Sequence, residues 1–293
     1  MHVFVTGGTG TIGTAVIAEL RSAGHTVTAL ARSDRSVEAL AAQGAETVRG
    51  SIADLDVLRA AADAANGVVS LAFANDFGTA EGLEQAIAEE SAAVHTLGEA
   101  LVDTGKPLVV VSGTPWVPGR LALETDPLPL DGPVAGRART VLAALDLADR
   151  GVRVSAVRLP RTVHADGAGG FAGILTETAR ASGAAGYPGT GDQRWPAVHA
   201  RDAAALFRLA LESAPAGSTW HAVADEGDRV RDLAEVIGRR LGLPVAAVPD
   251  DTFGPFAPIF ATDQPASGAA TQRALGWQPI HPSLLADLEN VTP

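Results

Sequence analysis

An α/β fold built on a doubly wound parallel sheet is what this sequence predicts, and three observations carry the prediction. Short β-branched runs alternate with longer helical patterns through the first half of the chain. Several of those runs are apolar at successive positions and not at every second one, and a glycine-rich turn closes the first of them. In order, residues 2–6, 26–31, 46–50, 68–72, 108–112 and 153–159 read as strands. Without polar alternation a strand is buried on both faces, as in a parallel sheet covered by helices on both sides. The covering helices are predicted over 12–23, 54–65, 82–103 and 134–149, where Leu, Val and Ala recur at helical spacing. Right-handed crossovers then make the doubly wound arrangement the natural topology. Beyond residue 160 the rhythm loosens into Gly- and Pro-containing loops at 166–170 and 183–196, with helices at 201–212 and 230–241. The expected organisation is a main-sheet region over 1–160 and a smaller mixed C-terminal lobe over 161–293, interleaved with the last sheet elements.

Composition narrows the function. The chain has 293 residues, 46% hydrophobic and 19% charged, enough for a substantial core, so disordered and fibrous classes are excluded. A formal charge of -12 repels phosphate backbones and anionic lipid, so neither nucleic acid nor membrane is an expected partner. With no cysteine there is no disulfide, thiolate metal site or cysteine nucleophile, and no His or carboxylate cluster has metal-ligand spacing, so no metal is expected. The first residues enter a strand directly and no segment reaches the roughly 18 apolar residues that span a bilayer, which predicts a soluble, cytoplasmic protein. Lys106 is the only lysine among 22 basic residues, and Tyr187 the only tyrosine.

The strongest local signal is Thr6-Gly7-Gly8-Thr9-Gly10-Thr11-Ile12-Gly13, where the first strand meets the first helix. Gly7 permits the tight turn, Gly10 lets backbone approach a pyrophosphate, and Gly13 lets helix and strand pack closely, so the helix N-terminus meets negative charge. In this context the sheet is expected to be of the Rossmann type, with a dinucleotide held at the turn of Gly7, Gly10 and Gly13. A preference for NAD usually goes with an acidic residue at the end of the second strand; here the chain reads Ala31-Arg32-Ser33. Arg32 and Ser33 suit a 2′-phosphate, favouring NADP(H) over NAD(H).

These residues, with Leu71-Ala72-Phe73-Ala74, Val111-Ser112-Gly113-Thr114, Arg158-Leu159-Pro160-Arg161-Thr162-Val163-His164 and Trp195-Pro196-Ala197-Val198-His199-Ala200-Arg201-Asp202, resemble the extended and atypical branches of the short-chain dehydrogenase/reductase superfamily. The resemblance covers nearly the whole chain. It implies that Gly7, Thr9, Gly10, Thr11 and Ile12 hold the pyrophosphate, that Ser51 and Ile52 meet the adenine, although an aspartate is commoner at Ser51, that Ala72, Phe73 and Ala74 line the cofactor groove, and that Pro160 and Val163 lie near the nicotinamide carboxamide. It also implies a catalytic Ser or Thr, a Tyr, and a Lys four residues beyond it, and here the chain departs from the pattern. Tyr187 is followed four residues later by Gly191, Lys106 precedes the fifth strand, and the helix that should carry the pair reads Pro133-Val134-Ala135-Gly136-Arg137-Ala138-Arg139. Arg137 or Arg139 can take over the lysine's charge, but a guanidinium does not replace the acid.

Candidates for the missing acid follow from position. Thr114 matches the family's hydroxyl best, with Ser112 as the alternative register; either orients a substrate oxygen better than it protonates one. His164 is expected near the mouth of the cofactor groove as general acid. Asp76, Trp116, Trp195 and His199 are candidate substrate contacts. For Asp76 the competing role is helix entry; for the two tryptophans, core packing; for His199, packing and capping before a helix whose expected N-cap is Asp202. The implied activity is NADPH-dependent reduction of a carbonyl or activated double bond in a small, largely apolar or cyclic metabolite. Non-redox cyclase, isomerase or lyase chemistry on the same cofactor, and a non-catalytic dinucleotide-sensing regulator, are the alternatives. A sugar epimerase is disfavoured because it needs an efficient base. The expected partner is a small-molecule substrate, and a homodimer is the one assembly allowed for.

Overall fold

The computed structural model describes residues 1–73 and 79–290. In the first half, β1 (His2–Thr6), α1 (Thr11–Ser22), β2 (Thr26–Ala31), α2 (Asp34–Ala42), β3 (Glu46–Arg49), α3 (Leu55–Ala64), β4 (Gly67–Ser70), α4 (Ala80–Ala100), β5 (Pro107–Gly113), α5 (Ala135–Leu145) and β6 (Arg153–Leu159) alternate as the sequence predicts. Then follow β7 (Thr162–His164), α6 (Gly170–Ser182), β8 (Ala185–Tyr187), β9 (Arg194–His199), α7 (Ala200–Ser213), β10 (Ser218–His221), β11 (Asp225–Arg229), α8 (Val230–Leu241), β12 (Val245–Ala247), α9 (Ala257–Phe260), α10 (Ala269–Leu275) and α11 (Leu284–Asn290).

Seven parallel strands form the main sheet in the order β10-β6-β5-β4-β1-β2-β3, so the chain reverses direction across the sheet between β1 and β4. A crevice at the carboxyl ends of the strands beside such a reversal is where this architecture takes its ligands. The pleat explains the unbroken apolar runs. Val3 and Val5 point with Val69, Val109 and Val157 toward α1 and α7, where Ile17, Leu20 and Phe207 are fully buried. Phe4 points with Val68, Leu108 and Val110 to the other face, against Leu58 of α3, Leu97 of α4 and Val141 of α5. Each such aliphatic or aromatic side chain contributes about 1.5–3 kcal/mol when buried.

α7 packs on α1 and the main sheet although it follows β9, so the later half of the chain returns to the sheet it left. Edge strand β10 does the same, pairing in register with β6. Its sequence, Ser-Thr-Trp-His, has neither the apolar run nor the alternation that marks the other strands. The remaining elements make a separate cluster around Trp195, Val230, Leu233, Ile237, Phe253 and Phe260, with small sheets β11-β9-β7 and β12-β8. Two of these strands, β8 and β9, lie within 183–196 and its continuation, which the sequence reads as loop. Among the described residues no helix is long and apolar enough to cross a membrane.

Candidate active site

The glycine turn is built as a cradle. Gly7 has φ +74°, and a Cβ there would stand 2.8 Å from the Ala72 nitrogen and 2.9 Å from the Leu71 carbonyl carbon, so the turn lies directly on the chain leaving β4. Thr6 locks that contact: its Oγ1 accepts from the Leu71 and Ala72 N–H groups, each at 3.1 Å. At Gly13 a Cβ would come within 2.1 Å of the Gly7 oxygen, so only glycine lets α1 start this close to β1. At Gly10 a Cβ would meet nothing nearer than 3.6 Å, leaving the backbone open on the side where a diphosphate would approach. Gly10 is also the N-cap of α1 and supplies no side-chain cap, so the positive end of the helix is free for an anion. The cradle therefore fits a dinucleotide. Thr9 and Thr11 are exposed and line a groove of about 650 Å³ that runs to Ala165, Asp166, Ala200 and Arg201, and Ile12 packs against the core beneath.

At the end of β2, Arg32 is exposed and forms no ion pair among the described residues, while neighbouring Asp34 is engaged by Arg49. Ser33 is committed locally: it caps α2, its Oγ accepting from the Ser36 N–H at 3.2 Å while Ser36 reciprocates. Ser51 is committed in the same manner, donating N–H and Oγ to Asp54 at 2.6 and 2.9 Å, and the backbone bond above all holds that carboxyl below the usual range. Ile52 packs half-buried beside it.

Across the cradle, Ala72 and Phe73 are half-buried, and the Arg137 guanidinium stands 4.0 Å from the Phe73 ring centroid. Ala74 and Asp76 lie outside the described residues. Arg137 donates Nε and Nη2 to the two oxygens of Glu90 on α4, at 2.8 and 2.7 Å, and Glu90 is buried. Arg139 faces outward and donates to the Leu130 carbonyl. Of the two arginines, then, Arg137 is the one that reaches Phe73, with its charge balanced by a partner that local sequence did not announce.

Thr114 follows β5 and is tied on both sides: its N–H donates to the Leu159 oxygen at 2.9 Å and its carbonyl accepts from Gln264 at 2.7 Å. Its Oγ1 is buried and has no hydrogen-bond partner among the described residues. Ser112 is half-buried, with Oγ 3.5 Å from its neighbour's carbonyl. Pro160 directly follows β6 and Val163 lies in β7, and both are buried. Trp116 is exposed and donates Nε1 to the Asp263 carbonyl.

His164 does not stand at the mouth of the groove. It is fully buried in the C-terminal lobe, its Nδ1 2.7 Å from Oδ2 of Asp287 on α11, and it meets His199 edge-on at 5.4 Å. His199 in turn stacks on His281 at 4.7 Å. The His164 ring is enclosed and engaged by Asp287, so it is not the groove-mouth group that the sequence predicts. His199 is itself the N-cap of α7, its Nδ1 accepting from the Arg201 N–H, and burial followed by the other two imidazoles lowers its pKa. Asp202, expected as that cap, instead accepts from the backbone of Ile280 and His281. Trp195 is fully buried against Phe260 and Phe171. Tyr187 sits under Arg231 in the lobe, and Lys106 reaches the Asp63 carbonyl at the amino end of the sheet, so neither takes up the missing pair's position.

The lobe also holds Asp228, opposite Trp195 in the β11–β9 register, with Oδ2 buried and without a partner among the described residues. Burial first, then Asp225 and Asp232, pushes its pKa up to about 6. A carboxyl that holds its proton more tightly in the folded state stabilises fully below its unfolded pKa, and that contribution is lost as pH rises through the folded value. Asp228→Asn is therefore expected to be more stable than the parent by on the order of 2 kcal/mol at about pH 8, with the advantage vanishing near pH 4. Thermal melts at the two pH values read this, and an advantage independent of pH would contradict it.

A model of the NAD dependent epimerase/dehydratase family matches residues 3–222. An uncharacterised protein of Saccharomyces cerevisiae is 40% identical over 296 residues, and one of Schizosaccharomyces pombe 37% over 292, each alignment covering 98% of both chains. Among solved structures, the UDP-glucose 4-epimerase of Thermotoga maritima with UDP-glucose superposes with TM-score 0.78 at 20% identity, covering 99% of this chain and 97% of that one. The dTDP-glucose 4,6-dehydratase DesIV of Streptomyces venezuelae, with NAD bound, gives 0.79 at 20% identity, covering 98% and 95%. These structures share the fold, and the family model and the relatives at 37% and 40% identity reach further: the chain belongs to the NAD dependent epimerase/dehydratase family.

Proposed function

We propose that the protein is an NADPH-dependent oxidoreductase acting on a carbonyl or activated C=C of a small, largely apolar or cyclic metabolite. The observation that carries the reading is the pairing of the Gly7–Gly13 cradle with an exposed, unpaired Arg32 at the end of β2. The cradle accepts a diphosphate, and Arg32 supplies a charge-assisted contact to a 2′-phosphate. Ser33, whose hydroxyl caps α2, adds its backbone turn and not a free side chain. When bound, a nicotinamide supplies the hydride chemistry. The chain's own work is to orient the substrate oxygen with the Thr114 hydroxyl, to pack Phe73 under Arg137 along the groove, and to keep water out beneath the strap at Gln264.

The test is titration of NADPH and NADH against the parent and Arg32→Glu, with consumption of reduced nicotinamide followed over a panel of cyclic ketones and enones. Arg32→Glu is expected to weaken NADPH by about tenfold to a hundredfold and to leave NADH within about threefold. Equal loss of both would remove the NADP assignment. One observation favours non-redox chemistry as the second reading: the groups offered at the carboxyl end of β5 are the Ser112 and Thr114 hydroxyls, and neither is an ordinary general acid. Substrate conversion without net change in nicotinamide absorbance would select it.

A further inference from the structure

Arg161, the second residue after β6, is treated differently from the other arginines drawn into the interior. Arg137 has Glu90, Arg158 donates to the Glu124 and Asp126 carbonyls, and Arg153 to those of Leu211 and Ala214. The Arg161 guanidinium has no hydrogen bond or ion pair among the described residues, and its Nε is buried without an acceptor. Its carbon lies 5.5 Å from the Phe171 ring centroid and 5.9 Å from that of Trp195. Burial alone draws its pKa down to about 10, with no carboxylate contributing, so it remains cationic at neutral pH. Holding a charge out of water beside two aromatic rings without a counter-charge is destabilising. A cation left in that condition fits a receptor for an anion that arrives with the ligand.

Two further donors point the same way. Among the described residues, the fully buried Trp195 has no acceptor for its Nε1, and Thr114, 6% exposed, has no partner for its Oγ1. Thr114 bonds through its N–H to Leu159, two residues before Arg161, so both follow the carboxyl ends of β5 and β6, and Trp195 of β9 meets Arg161 from the lobe. The surroundings are flat and apolar: Phe171 lies 6.1 Å and Trp195 5.1 Å from the Phe260 ring. One uncompensated guanidinium with neutral donors beside it matches a monoanion, and its planar fork matches a carboxylate in particular. A phosphate dianion would call for a second cation.

We propose that Arg161 is the substrate's anion receptor, so that the site takes a carbonyl or enone compound that also bears a carboxylate on a flat, apolar body. The carboxylate meets Arg161, and the reacting oxygen meets Thr114. This rests on the oxidoreductase reading above, which gives the Thr114 end its role.

The experiment is calorimetric titration of benzoate and of its neutral counterpart benzamide into the parent, Arg161→Met and Arg161→Gln, with and without saturating NADPH, alongside a melting curve and an NADPH titration of each variant. The parent is expected to prefer benzoate over benzamide by about tenfold, and both variants to lose that preference while keeping their NADPH affinity and melting at or above the parent temperature. No preference for benzoate in the parent overturns the assignment, whether both probes bind or neither does. It is likewise overturned if a folded variant keeps the preference, if benzoate displaces NADPH, or if phenyl phosphate outbinds benzoate. Failure of NADPH to bind while the Arg161-dependent preference persists would sink the nucleotide reading and leave the anion receptor standing.

Discussion

Gly13→Ala is expected to abolish nucleotide binding and to cost about 2–4 kcal/mol of stability, a large penalty for one methyl group. The new Cβ would lie 2.1 Å from the Gly7 oxygen and 2.7 Å from the Gly8 Cα, both backbone atoms at the heart of the cradle. No flexible side chain can move aside, so either the turn opens or α1 withdraws from β1, and both destroy the alignment of Gly7 with Leu71 and Ala72. The same substitution at Gly173 is the control. It too is a helical glycine, on α6, but nothing lies within 4 Å of the Cβ it would gain. There alanine should stabilise by about 0.5–1 kcal/mol, the ordinary helix-propensity gain. Melting temperatures of the two variants should move in opposite directions, with NADPH affinity lost only in the first. A Gly13→Ala protein that melts and binds like the parent would mean that helix and strand are not held at this separation.

That contrast marks what local sequence encodes. Gly13 was legible because a turn motif is a local object, and the apolar runs of β1, β4, β5 and β6 were legible because burial on both faces of a sheet leaves a local signature. Edge strand β10 and the charged strand β11, Asp-Glu-Gly-Asp-Arg, were not: an edge or bulged strand needs no apolar run, and only the partner strand reveals it. Thr114 was legible as the residue that follows β5, but its tie to Leu159 at the end of β6 comes from the pairing of the two strands. His164 went astray because its environment is made by Asp287, 123 residues away, and Glu90 escaped notice because it meets Arg137 across 47 residues. Both outcomes depend on tertiary packing that pairs distant positions. The engagement of the Ser33 and Ser51 hydroxyls, by contrast, lay within reach of local reasoning, since a partner three residues on, Ser36 or Asp54, competes for each. Arg161 lay inside the motif after β6, but its want of a counter-charge is a property of the space around it and not of the motif.

Thr114→Val is expected to lower kcat by about a hundredfold or more while leaving nucleotide affinity unchanged and stability equal or slightly higher, because removing an aligned donor to a developing oxyanion costs about 10²–10³ in rate. Valine keeps the shape of threonine and exchanges Oγ1 for a methyl group. In most buried sites that exchange strands a hydrogen-bond partner, but here Oγ1 has none among the described residues, so the folded protein loses nothing by the change. Function and stability thereby separate: an Oγ1 kept for folding would lower the melting temperature, whereas one kept for substrate lowers turnover alone. Thr114→Ser should restore most of the rate, since it retains the hydroxyl on the same tethered backbone between Leu159 and Gln264. Ser112→Ala separates the two candidate hydroxyls. Ser112 is half-buried and its Oγ is within 3.5 Å of its neighbour's carbonyl, so its removal should cost less than about fivefold if Thr114 is the orienting group. The reverse order of effects would transfer the role to Ser112, and full activity in both variants would leave the substrate oxygen to be held by neither hydroxyl.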